Sequence, residues 1–420
     1  MKPKLLTTLQ GYTPGQFRAD AIAGVTVAMV AIPLSIAIAI ASGASPEKGL
    51  VTAVVGGFLI SLLGGSRVQV GGPTGAFIVV VYGVIAQHGY EGLVLATLMA
   101  GAILVLAGLL RLGNLIRYVP EAVVNGFTIG IAIIIGSSQL KDLLGLATGT
   151  MPADFVPKMA TLWDARATLN WQALATGLAA LALIVALRKL FPRLPGLILA
   201  IAAVSAGALA LHLPIDTIAS RYGELPRALP LPAMPHVSVA KLAELLPSAL
   251  VIAFLAAIES LLSAMVADRM IEGRHRPNAE VMAQGWANIG SALFGGMPAT
   301  GAIARTATNI RAGGRTPVAG LVHALTILAV LLAAAPLAGY LAMPALAALL
   351  LITAWNMSEP HKWRGYWAAP TSDRLLLLLT LTLTVLSDLT VAIGVGVAVG
   401  LALRLREHKF EPEEWSGPER

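Results

Sequence analysis

Apolar runs long enough to cross the hydrocarbon of a bilayer, about 20 residues each, recur along the whole chain. Short polar segments bearing Gly, Pro and charge separate them. The pattern predicts membrane spans near 21–42, 48–63, 73–87, 92–110, 119–138, 170–187 and 195–212. A polar stretch follows, carrying Pro226, Pro230, Pro232 and Pro235, and reads as a loop with one surface helix at most. A second series follows near 247–267, 279–294, 304–311, 316–335, 339–356, 374–387 and 389–404.

The count is seven plus seven. An odd number of spans in each half inverts the second half relative to the first, a common plan in secondary transporters. Gly64-Gly65 and Gly295-Gly296 stand at equal distances before Pro73 and Ala304, and in that register Thr74 faces Arg305. The expected layout is a cytoplasmic N-terminus at 1–19, a first inverted repeat at 20–212 and an outer linker at 213–246. A second repeat at 247–405 and a cytoplasmic tail at 406–420 complete it. Charge agrees. Of the 29 Lys and Arg residues, 21 fall in segments that would face the cytoplasm and 7 in segments outside, with Arg305 in neither group. The expected location is therefore the cell membrane, multi-pass, with both termini cytoplasmic.

Composition narrows the class. Apolar residues make up 57% of the 420, and charged residues only 12%. Mean hydropathy is +0.79. A water-soluble enzyme, a disordered chain and a nucleic-acid binder are excluded on those figures. The net charge of +7 reflects cytoplasmic loops. There is no cysteine, so thiolate metal sites and cysteine nucleophiles are absent. No cluster of His, Asp and Glu has metal-ligand spacing, and no cofactor is expected. The polar first residues, broken by Pro3, Pro14 and Gly15, do not read as a cleavable signal peptide.

Two spans are interrupted. Arg67-Val68-Gln69-Val70 alternates like an extended segment, Gly71 and Gly72 break the chain, and Pro73 suits the first position of a short helix. The tenth span has Pro298 and Gly301 before a short helix from about Ile303. Non-helical backbone at membrane depth is tolerated only inside protein or beside water, and paired broken spans point to a transport site. Each helix start offers free N–H groups and a partial positive charge, which suits an anion. Kinked structural helices are the plainer alternative.

Two ionisable residues are expected deep in apolar context. Glu259 lies about 18 Å along its helix from Pro247 and about 13 Å from Asp268, near the bilayer middle. Ala253, Ala256, Ser260, Ser263 and Ala267 surround it with small side chains. Such a carboxylate suits proton coupling, or alternatively only hydrogen-bonds neighbouring helices. Arg305 falls in the first turn of the tenth helix and offers a planar fork to an anion. A flanking cytoplasmic charge and a permanent ion pair with Glu259 are the alternatives. His323 reads as a packing residue, and Asp388 as a helix cap.

At these residues the chain resembles the SulP family of sulfate permease-like anion transporters, which includes pendrin and prestin. The resemblance rests on Asp20-Ala-Ile-Ala-Gly24 leading to Ile32-Pro33, on Gly64-Gly-Ser-Arg67 leading to Gly71-Gly-Pro73-Thr74, and on Gly295-Gly-Met-Pro298 through Ala304-Arg305-Thr306. It implies an all-α polytopic protein of 14 transmembrane segments in two inverted seven-segment repeats. Spans 1–4 and 8–11 would form a core domain, and spans 5–7 and 12–14 a gate domain. Half-helices at spans 3 and 10 would hold the anion, and the core would move against the gate like an elevator. It places Pro73, Thr74, Ala304, Arg305 and Thr306 at the substrate and Glu259 at proton coupling. Ile38 stands where relatives often have an aromatic residue, Leu34 where some have a polar one, and Ala304 where some have a hydroxyl. Relatives usually carry a STAS domain after the last span, and 406–420 is too short for one.

The expected function is secondary active anion transport for sulfate, bicarbonate, chloride or dicarboxylate, with proton symport, and no enzymatic activity. The partners are the anion, the proton, the lipid bilayer and a second copy in a homodimer, with no nucleic acid. A nucleobase–cation symporter of the same architecture and an anion channel or exchanger are the alternatives.

Overall fold

The computed structural model describes residues 2–114, 119–191, 195–387 and 389–406; the helix cap expected at Asp388 and the tail beyond Arg406 lie outside them. The first half runs α1 (Lys4–Thr8), α2 (Pro14–Ala41), α3 (Pro46–Leu63), β1 (Gly71–Gly72), α4 (Phe77–Leu109), α5 (Glu121–Leu144), α6 (Phe155–Asp164), α7 (Trp171–Leu190) and α8 (Gly196–Ala210). The second half runs α9 (Ile218–Tyr222), α10 (Val239–Ile271), α11 (Pro277–Leu293), β2 (Thr300–Gly301), α12 (Ile303–Arg311), α13 (Val318–Ala338), α14 (Met343–Met357), α15 (Trp363–Ala368), α16 (Thr371–Leu386) and α17 (Leu389–Arg406). Among the described residues, α2, α3, α4, α5, α7, α10 and α13 are long and apolar enough to cross a membrane. The protein is a multi-pass, all-α membrane protein.

Local chemistry sets the ends. Thr13 and Gln16 form a reciprocal capping box at the start of α2, with Pro14 in the first turn. Pro46 and Pro277 open α3 and α11 in the same way. Gly145 ends α5 in the left-handed conformation, at φ 59°.

Two expectations are corrected. The helix after β1 begins at Phe77, not Pro73. The Pro73 carbonyl, which a helix starting there would give to the Phe77 N–H, instead accepts from Arg305 Nη2 at 3.0 Å. The Phe77 N–H bonds back to Thr74 O at 3.3 Å. The third and fourth expected spans follow one another along α4 as two helices divided at Gly89, whose φ of 71° takes the chain out of helix between 87 and 92. Finally, α10 starts at Val239, upstream of the expected 247, and carries Pro247 within it.

The helices pack in two sets. α4 lies against α10 and α11, while α13 lies against α2 and α3. In the other set α5 packs on α14 and α16, and α7 on α8 and α14. The two halves of the chain interleave in each set, an inverted-repeat-like arrangement. They meet most directly where β1 and β2 pair antiparallel, Gly71 opposite Gly301 and Gly72 opposite Thr300.

Candidate functional site

The crossing of β1 and β2 is extended backbone buried inside protein, so every N–H and C=O there needs a partner. Side chains from elsewhere supply many of them. Glu280 accepts from Gly65 N at 2.8 Å and Ser66 N at 3.0 Å, while Gln69 Nε2 donates to Ser260 Oγ and to Glu280 Oε1. Ser260 Oγ and Gln284 Nε2 also donate to Glu280 Oε1. On the β2 side, Thr52 Oγ1 accepts from Met297 N, and Asn288 bonds both the N–H and the C=O of Ala299. Asn309 Nδ2 donates to Val68 O. These contacts fix both strands and therefore where α4 and α12 begin.

Hydrogen bonds join Arg305 to Pro73 and Thr74 to Glu259. Arg305 is 2% exposed and spans the junction of the two halves. Its Nη2 donates to Ser35 Oγ and to Pro73 O, each at 3.0 Å, and its Nη1 donates to Gly71 O at 3.3 Å. The fork is thus spent largely on backbone, and Nε has no protein partner. No salt bridge joins Arg305 to Glu259 among the described residues. Glu259 is half-buried, and its Oε2 accepts from Thr74 Oγ1 at 2.7 Å.

The remaining two candidates diverge. Ala304 is exposed in the first turn of α12. Thr306 is buried and turned the other way: its Oγ1 accepts from Val70 N and Ser263 Oγ, both at 3.1 Å. It anchors the strand.

The expectation of only two deep ionisable residues is also corrected. Asp20, Glu280 and His323 are each fully buried. Asp20 accepts from Tyr12 Oη and from the Arg315 and Thr316 backbone, tying α2 to the start of α13. Glu280 had a readable signal: Glu280, Gln284 and Asn288 recur every four residues on one face of α11. Ser35 carried none, being one small residue in an apolar run.

A two-set bundle built around crossed, buried extended segments, with helices starting beside them, defines a membrane transport architecture. The sequence model of the sulfate permease family matches residues 17–380. The "Putative sulfate transporter YvdB" of Bacillus subtilis (strain 168) is 46% identical over 352 residues, covering 83% of this chain and 66% of the relative. The bicarbonate transporter BicA of Picosynechococcus sp. (strain ATCC 27264 / PCC 7002 / PR-6) is 33% identical over 341 residues, covering 79% and 60%. The solved transmembrane domain of a cyanobacterium bicarbonate transporter BicA superposes with a TM-score of 0.81 at 30% identity, covering 93% of this chain and 98% of that one. The chain belongs to the sulfate permease family. It spans about two thirds or less of the length of these two curated relatives.

Proposed function

We propose that the protein is a secondary active transporter of a small anion, of the sulfate, bicarbonate, chloride or dicarboxylate class, driven by proton symport. The observation that carries this reading is the Thr74–Glu259 hydrogen bond beside the starts of α4 and α12. The proposed substrate space lies between those starts. Thr74 and Ala304 border it, and Pro73, Arg305 and Thr306 hold its walls. The Arg305 guanidinium supplies positive potential from behind the strands, added to that of the helix starts. The names of the similar proteins, sulfate and bicarbonate transporters, fit this class of cargo.

The coupling follows from one proton on one hydroxyl. Thr74 Oγ1 has a single O–H to donate. While Glu259 is ionised, that O–H is committed to Oε2. Once Glu259 takes a proton it can donate to Thr74 Oγ1, and the Thr74 O–H is released toward the anion. Loss of the carboxylate charge also stops offsetting Arg305. Proton and anion therefore favour each other's binding, which is the thermodynamic condition for symport.

In the full reading the protein has 14 spans. Spans 1–4 and 8–11 form a core that moves as an elevator against a gate of spans 5–7 and 12–14, with both termini cytoplasmic. Two copies form a homodimer. The test is uptake into proteoliposomes over a panel of sulfate, bicarbonate, chloride and succinate. Saturable uptake of one or more panel members above protein-free liposomes supports the reading, and uptake of none overturns it.

A further inference from the structure

A cavity of about 370 Å³ is lined by neither Thr74 nor Glu259. The C-terminal end of α2, the first turns of α4, the C-terminal part of α5, the segment 149–153, α6 and α9 line it. Its charged lining is Lys141, Asp142, Lys158 and Arg221. Two of these charges, Arg221 and Asp142, are paired with each other. Arg221 Nη1 pairs with Asp142 at 2.7 Å, and Nη2 pairs with Asp216 at 2.8 Å.

Lys158 and Lys141 remain. Neither has a carboxylate within 4 Å among the described residues. Lys158 is 4% exposed, on a ten-residue helix whose other buried side chain is Leu162. Its Nζ sits 5.4 Å from the centre of the Tyr82 ring, and Tyr82 Oη donates to Met151 O at 2.7 Å, pinning the wall of the cavity. Burial pushes the Lys158 ammonium below the usual lysine range, with Asp154 opposing that only in part. An ammonium withdrawn from water without a counter-ion is unfavourable, and an anion in the cavity would relieve it.

We propose that this cavity is a second anion site, where Lys158 and Lys141 receive a small oxyanion or carboxylate before it reaches Thr74. The proposal rests on the transport reading for its role in the route, but not for binding itself. A cavity this size holds the anion with part of its hydration, so the site concentrates anions more than it selects among them. α6 and α9 both contribute to its lining, and we assign the site to transport that starts from the face carrying them.

The test uses Lys158→Gln and Lys158→Arg in the full chain, in proteoliposomes of established orientation, with the same four anions. Lys158→Gln should raise KM about tenfold for transport starting from the α6 face. It should leave kcat within twofold and leave KM from the opposite face unchanged. Lys158→Arg should restore KM to within threefold. Unchanged KM, or equal shifts on both faces, would overturn the proposal. If the wild type carries none of the four, transport fails as a reading and binding decides the cavity alone. A panel anion should then raise the unfolding temperature of purified wild type more than that of Lys158→Gln. Equal shifts in the two proteins would overturn the site.

Discussion

The Thr74 hydroxyl donates a 2.7 Å hydrogen bond to Glu259 Oε2, although the two residues stand 185 positions apart. One lies just before α4 and the other within α10, so the bond joins the two halves of the chain beside the proposed substrate space. Removing the hydroxyl by Thr74→Val should weaken anion binding roughly 10- to 150-fold, the effect of one hydrogen bond to a charged group of about 1.5–3 kcal/mol. Thr74→Ser keeps the O–H and should stay near wild type. Concentration dependence of uptake in the two variants checks this, and an unaltered KM in Thr74→Val removes the hydroxyl from the site.

Arg305 should matter for stability as well as affinity. Its fork holds Gly71 O, Pro73 O and Ser35 Oγ. Arg305→Ala strips partners from buried carbonyls, each worth about 1–3 kcal/mol when left unsatisfied. The variant should unfold at a clearly lower temperature and bind anion at least tenfold more weakly. Arg305→Lys keeps the charge but not the fork, and should recover only part of either. Thermal unfolding in detergent separates the two roles: normal stability with lost affinity would mean the side chain serves the anion alone.

Gly72 has a φ of 150°, which side chains rarely adopt, and a Cβ there would overlap Arg305 Nη1. Gly72→Ala should displace Arg305 and the start of α4 together, giving a sharp drop in monodisperse protein on gel filtration. A Gly72→Ala protein that is stable and transports normally would contradict the described packing.

Glu280 collects two backbone N–H groups and three side-chain donors in a site with no exposure. Glu280→Gln replaces an acceptor oxygen with an amide that repels those donors. A loss of about 3 kcal/mol or more is expected, enough to lower the unfolding temperature and yield. An unfolding temperature equal to wild type would show that the network is not strained by the change.

How much of this could be read from the sequence depended on whether the signal was local. Ile303 begins α12 where the Pro298 and Gly301 breaks place it, because those residues act on their own backbone. Pro73 carries an equally strong local signal, yet α4 starts at Phe77, since Arg305 from the other half takes the Pro73 carbonyl. Thr306 was legible as a residue near the site, but its hydroxyl turns to Val70 N, a choice set by how β1 lies across α12. Glu280 forms a polar stripe with Gln284 and Asn288, but the charged segment Asp268–Arg276 just before it masks that signal. Only the packing of residues 65–69 against α11 buries it.

The central claim is that protonation of Glu259 frees Thr74 for the anion and so couples the two fluxes. The most direct measurement compares anion uptake with and without an inward proton gradient, in wild type and in Glu259→Gln. Wild type should accumulate anion faster with the gradient. Glu259→Gln, fixed in a neutral state, should keep or raise anion affinity, retain exchange of labelled for unlabelled anion, and show no response to the gradient. A Glu259→Gln protein as gradient-dependent as wild type, or a wild type indifferent to the gradient, would contradict the account.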